Sequence, residues 1–239
     1  MADNLRYYTR KNLRRTWLEF IIPGMSVTGW LILINVLFFI IAMVLMLINP
    51  LFMNYIALNP DNIVHGKYLW TFLTSMFMHA NIFHLLVNMF VLFSLGSFCE
   101  KIIGRKRFAW FYIISGLIAG GLFVILAVAF GNTVLGGKIF GSPLISAVGA
   151  SGAIFAIAGL FMVLMPKLKF TIIFFPFFSL PAYIMIPVVL FVTWIVSAGT
   201  GLPVGNTAHL GGFLAGVIYG IYLRNKFPRK VKILNRYVR

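Results

Sequence analysis

Two side chains in this sequence have the types and surroundings that nucleophilic catalysis requires. Ser151 sits in the frame Gly149-Ala150-Ser151-Gly152, and His209 stands near the start of the last long apolar stretch. A hydroxyl activated by an imidazole is the minimum apparatus for attack on a carbonyl carbon. Glycine on either side of the serine leaves room for a reacting carbonyl. A serine at a helix N-terminus also has unpaired backbone N–H groups beside it, which can hold an oxyanion. His84 and Asn88 are four residues apart and share one helix face, where they could add side-chain donors to the same oxyanion. Structural roles stand beside these readings. A serine among glycines lets helices approach closely, and a His–Asn pair can bridge two helices. His65 and His79 read as structural or interfacial.

The absences narrow the chemistry. The four acidic residues are Asp3, Glu19, Asp61 and Glu100, and none falls in the middle of an apolar run. A pair of membrane aspartates is therefore unavailable, as is a buried carboxylate for proton-coupled transport. No His-Glu-x-x-His motif is present, so no metal and no cofactor is expected. Cys99 is the single cysteine, which excludes an intrachain disulfide and zinc-finger spacing. A Ser–His dyad remains, with an imidazole oriented by packing or by a neutral group.

The elements that must position these residues are membrane helices. Apolar residues make up 61% of the chain and charged residues 10%, against ~25% charged in a soluble domain. Apolar runs near the ~20 residues of a bilayer crossing predict six spans, at about 30–48, 81–98, 108–130, 146–165, 170–197 and 207–223. The fifth contains Pro176, Pro181 and Pro187, so it is kinked or begins later. The domains read as a basic cytoplasmic segment over 1–29, a six-span domain over 30–224 and a basic cytoplasmic tail over 225–239. The first span reads as retained, because its long apolar run lacks a small-residue cleavage site.

The net charge of +16 is distributed as a topology signal. Eighteen of the 20 Lys and Arg fall in the lead, the connections after spans 2 and 4, and the tail, leaving Lys67 and Lys138 on the other side. This split predicts both termini in the cytoplasm and needs no nucleic-acid partner. Spans 2, 4 and 6 then all run inward, so His84, Ser151 and His209 share one layer near the outer surface. Small residues line span 4 at Gly149, Gly152, Ala156 and Gly159, and span 6 at Gly212, Gly216 and Gly220. If these stripes face each other, Ser151 and His209 meet at the top of the contact.

These residues together resemble the rhomboid intramembrane serine proteases over roughly residues 60–225. The resemblance is carried by Trp70 with Thr74 and Phe77, His79, His84-x-x-x-Asn88, Glu100 with Gly104 and Arg107, Gly149-Ala150-Ser151-Gly152, and Ala208-His209-x-Gly211-Gly212 with Gly216 and Gly220. One position departs: Trp70 is followed by Thr71 where the family often has Arg, which bears on loop packing rather than catalysis. The resemblance implies an all-α, six-transmembrane-helix bundle in the cell (plasma or inner) membrane. It implies Ser151 as nucleophile, His209 as base, and His84, Asn88 and the Ser151 N–H as oxyanion donors. Substrates would be single-span transmembrane proteins, cleaved near the outer side of the bilayer through an acyl-enzyme. A proteolytically idle membrane chaperone and a six-span channel or transporter are the rival readings. The expected topology is checked by cysteine accessibility in intact cells. Lys138→Cys should react with an impermeant external thiol reagent, and Lys106→Cys only after the membrane is opened. The reverse labelling pattern would turn the bundle over.

Overall fold

The computed structural model describes residues 24–172, 175–200 and 205–236. Residues 1–23 of the expected basic lead (1–29) and the last three residues of the tail lie outside them. The fold is carried by α1 (Val27–Ile48), α2 (Ile82–Ile103, π-helical over Leu92–Gly96), α3 (Arg105–Phe130), α4 (Ser151–Leu164), α5 (Ala182–Thr200) and α6 (Asn206–Lys226), followed by the short α7 (Pro228–Arg236). Helices α1, α2, α3 and α5 are each long and apolar enough to cross a membrane, and the chain is a membrane protein. The other two expected spans differ from them. With 14 residues, α4 reaches only ~21 Å, short of a ~30 Å hydrocarbon core. With 21 residues α6 has the length but is less apolar, opening on Asn206, Thr207 and His209.

The fifth expected span is corrected. The chain does not enter a helix at Phe170. It forms an antiparallel ribbon, β1 (Lys169–Ile172) with β2 (Phe175–Pro181), in the register Lys169↔Pro181 to Ile172↔Phe175. Proline has no N–H and its ring clashes with the preceding helical turn, while phenylalanine favours strands. Helix α5 accordingly begins directly after Pro181, and only Pro187 remains inside it. The molecule is thus a helical bundle with one small ribbon between α4 and α5.

One acid ties the start of α1 to the bundle. Glu100, in the last turns of α2, is buried and accepts hydrogen bonds from Val27 N at 2.9 Å, Thr28 N at 2.8 Å and Thr28 Oγ1 at 2.8 Å. A carboxylate matches the positive end of a helix, which explains how this charge is held inside the protein. Arg105 stands beside it and donates to the Met25 carbonyl. Gly104, at φ +88°, makes the one-residue reversal from α2 to α3. Between α1 and α2 the chain forms short helical turns at Met53–Ile56, Pro60–Val64 and Thr71–Thr74. Trp70 packs edge-on against Tyr68, which packs on Tyr55, and Trp70 Nε1 donates to the Tyr55 carbonyl at 2.9 Å. Thr71 is buried, so the loop is packed with threonine at that position.

The helices meet most closely at α4. It is buried along nearly its whole length, with α6 on one side and α3 on another. The two small-residue stripes do face each other. A methyl group built on Gly212 would fall on the Gly152 carbonyl, one on Gly216 would fall on the Ala156 carbonyl, and one on Gly159 would fall on the Phe213 carbonyl. On the α3 side, a methyl on Gly152 would lie 2.7 Å from the Ala119 Cβ. The backbones are therefore in direct contact, which only glycine permits. Substitution at Gly216 should destabilise by ~1–3 kcal/mol for Gly216→Ala and by more for Gly216→Leu. Gly121→Ala, where a methyl meets nothing within 4 Å, should be neutral or slightly stabilising. Thermal unfolding in detergent ranks the three. Equal midpoints for Gly216→Ala and Gly121→Ala would mean that α4 and α6 are not in backbone contact.

Candidate active site

Three of the four candidate residues stand in the first turn of a helix: His84 in α2, Ser151 at the first position of α4, and His209 in α6, with Asn88 one turn further along α2. The glycine contact between α4 and α6 brings two of them together. The Ser151 hydroxyl lies 2.8 Å from His209 Nε2, hydrogen-bonding distance for the hydroxyl to donate to the ring nitrogen. His209 is buried, with 8% of its surface exposed, and its ring stacks on Phe155 at 4.5 Å between centroids and 28° between planes. Nδ1 of His209 is buried and has no hydrogen-bond partner among the described residues. An aromatic face, not a carboxylate, holds this imidazole. Nothing in the sequence marks Phe155 as the support of this ring, although its position four residues after Ser151 places it on the same face of α4.

The turn ahead of Ser151 is fixed by backbone bonds. Gly149 N donates to the Ser75 carbonyl at 2.9 Å, and Leu58 and Ala147 exchange N–H···O bonds at 3.0 and 2.8 Å. The Asn59 side chain donates to Ser146 Oγ at 3.2 Å. The segment between α1 and α2 thus staples the approach to α4. Gly149 has φ +128°, and a methyl there would lie 2.9 Å from His84 Cε1 and 3.6 Å from Ser151 Oγ. The His84 ring therefore lies over the bare Gly149, two residues ahead of Ser151. Ser151 and Gly152 open the helix, so their N–H groups have no partner within α4.

Three neighbours are placed differently from a simple donor set. Asn88 is buried, and its Nδ2 donates to the backbone carbonyl of His84 at 3.1 Å. That leaves it the second N–H of the same amide. Asn81 caps α2, accepting from His84 N at 2.8 Å. His79 is fully buried, meets the His84 ring edge-on at 5.1 Å, and neither of its nitrogens has a partner among the described residues. Burial, and secondarily the nearby His84, pushes the His79 imidazole down to about 4, so it is neutral at physiological pH and adds no charge beside His84. His65 lies apart, exposed and bonded to Asp61.

The family model for the rhomboid domain matches residues 66–226, which hold all of these groups. The chain belongs to the rhomboid family. It is 33% identical to rhomboid protein 1, mitochondrial, of Saccharomyces cerevisiae over 152 residues, 62% of this chain and 40% of that protein. It is 30% identical to the presenilin-associated rhomboid-like protein, mitochondrial, of Homo sapiens over 218 residues, 89% of this chain and 52% of that protein. It is 33% identical to RHOMBOID-like protein 1 of Arabidopsis thaliana over 164 residues, 69% of this chain and 37% of that protein. The rhomboid chain spans about half the length, or less, of these curated relatives.

Within this rhomboid site, the contact of His84 with Gly149 can be separated from backbone strain. Gly149→Ala should destabilise by ~1–3 kcal/mol from its positive φ, with a further loss from the blocked His84 ring. Gly66→Ala has the same backbone conflict at φ +70° but open space around it, so its unfolding midpoint should fall less. Equal shifts in thermal unfolding would remove the His84–Gly149 contact from the account.

Proposed function

We propose that the chain is an intramembrane serine endopeptidase in which Ser151 is the nucleophile and His209 the general base. The observation that carries this reading is the 2.8 Å approach of the Ser151 hydroxyl to His209 Nε2 at the start of α4. Neutral His209 takes the hydroxyl proton on Nε2 as Oγ forms a bond to the scissile carbonyl carbon. The negative charge on the carbonyl oxygen is received by the Ser151 N–H and by donors from His84 and Asn88. When the intermediate collapses, the C–N bond breaks and His209 returns the proton to the leaving amine. A water molecule then releases the acyl group from Ser151 by the same steps. The imidazolium formed in each half-reaction lies over the Phe155 ring, whose π face attracts a cation.

The substrate class follows from where the dyad lies. At the head of a short helix among longer ones, Ser151 is reached by a chain segment already in the membrane. An intact helix hides its carbonyls in hydrogen bonds, so the substrate must unwind locally before attack. We assign the substrate as a single-span transmembrane protein, cut near the outer side of the bilayer. The charge distribution supports a six-span domain over 30–224 with both termini in the cytoplasm, flanked by the basic segments 1–29 and 225–239. The compartment assigned here is the cell (plasma or inner) membrane. The yeast and human relatives are named as mitochondrial proteins, so fractionation of cells bearing a tagged chain is the direct check on compartment.

The enzyme reading is tested with a fluorophosphonate probe and a model single-span substrate in liposomes. Wild-type protein should label and cleave, whereas Ser151→Ala and His209→Ala should each do neither while unfolding at the wild-type temperature. The double variant should be no worse than either single one, because the pair acts as a unit. Folded wild-type protein that neither labels nor cleaves would favour the idle, chaperone-like reading. Labelling that survives Ser151→Ala would move the nucleophile elsewhere.

A further inference from the structure

Helix α7 follows α6 after a break at Phe227 and packs against the ends of α6 and α4, where Asn235 Nδ2 donates to the Leu164 carbonyl at 2.7 Å. Its Val231 is buried, while Arg229, Lys230, Lys232 and Arg236 are exposed. One face is apolar and the other basic, the pattern of a helix lying in a membrane interface. Between α7 and the bundle is a cavity of about 80 Å³. Ile102, Ile103, Leu164, Leu223 and Leu234 give it an apolar wall, and Arg107 and Lys230 supply its cations.

The cations at this corner crowd together. The Arg107 guanidinium lies 5.8 Å from the centre of the Phe227 ring, the Lys230 ammonium 5.5 Å and the Lys226 ammonium 5.9 Å. Like charges gathered on one ring repel, and the ring quadrupole offsets only part of that cost. No carboxylate among the described residues answers them. Glu100 is spent on Val27, Thr28 and Arg105, and Asp61 lies in the segment between α1 and α2. A free anion would match the charge but not the apolar wall. A phospholipid with a negative headgroup matches both, and a basic pocket between membrane helices is a recurrent form of such a site.

We propose that this corner binds an anionic phospholipid. Arg107 and Lys230 hold its phosphate, and the cavity takes the apolar part next to it. Bound lipid would fasten α7 and the end of α6 to the start of α3. The site lies at the opposite end of α4 and α6 from Ser151 and His209, so it stands whether or not the chain is a protease.

The test uses the purified full chain in a neutral detergent, titrated with phosphatidylglycerol or with phosphatidylcholine and followed by thermal unfolding. Phosphatidylglycerol should raise the midpoint and phosphatidylcholine should not. Arg107→Gln combined with Lys230→Gln should weaken the apparent affinity for phosphatidylglycerol about thirtyfold, with no change of midpoint in phosphatidylcholine. Lys101→Gln combined with Lys167→Gln removes equal charge from the same end but outside the cavity, and should leave the affinity close to wild type. An equal loss in both double variants would reduce the effect to diffuse surface attraction and overturn the site. The same stabilisation by inorganic phosphate would assign a soluble anion and overturn the lipid. If the first double variant is already destabilised in phosphatidylcholine, the exposed Lys230→Gln alone carries the test, with an expected loss of about fivefold.

Discussion

The backbone contact between α4 and α6 is the constraint on which the rest of this structure depends. Lipid tails are as apolar as leucine, so two membrane helices gain little by hiding side chains from lipid and must gain by close packing. Here Gly212 and Gly216 bring α6 against the carbonyls of Gly152 and Ala156. The same contact fixes the separation of Ser151 and His209, because both stand in the first turn above it. Interhelical distance and hydrogen-bond distance are one geometric quantity at this site. That is why residues with no reactive group are as consequential there as the hydroxyl and the ring.

The remaining parts of the site hold the pair without charge. Phe155 supports the imidazole by stacking, and the turn entering α4 is stapled by backbone bonds to Leu58 and Ser75. In a medium of low dielectric a carboxylate beside His209 would carry a heavy desolvation cost. An aromatic face orients the ring without it. The one buried acid in the described bundle, Glu100, is placed where the start of α1 supplies three donors.

Much of this arrangement was legible in the sequence for identifiable reasons. Glycines at helical spacing in two apolar segments imply a shared contact, and the Lys and Arg distribution implies that His84, Ser151 and His209 lie in one layer. What was not legible came from competition between local signals. Hydropathy joined the Phe-rich stretch after Lys169 to the helix that follows; its prolines signalled a kink or a later start, but not the ribbon that the stretch forms before α5. Phe155 was hidden because an aromatic residue in an apolar helix carries no marker of its neighbour. Asn88 shares the expected face with His84, yet its amide turns back to the His84 carbonyl. A side chain's face can be read from spacing, whereas its hydrogen-bond partner cannot.

The contrast between the central helices and the others bears on how the protein is made. Helices α1, α2, α3 and α5 have the length and apolarity to partition into a bilayer individually. Helix α4 is too short to do so, and α6 carries polar residues at its start and glycine along its contact face. Their place in the membrane is secured by the walls that the other helices provide, in a second stage that follows insertion of those helices. Ser151 and His209 stand on these two late-docking segments. A nascent or partly inserted chain therefore holds its hydroxyl and imidazole apart, and the hydrogen bond between Ser151 and His209 forms only with completion of the tertiary structure.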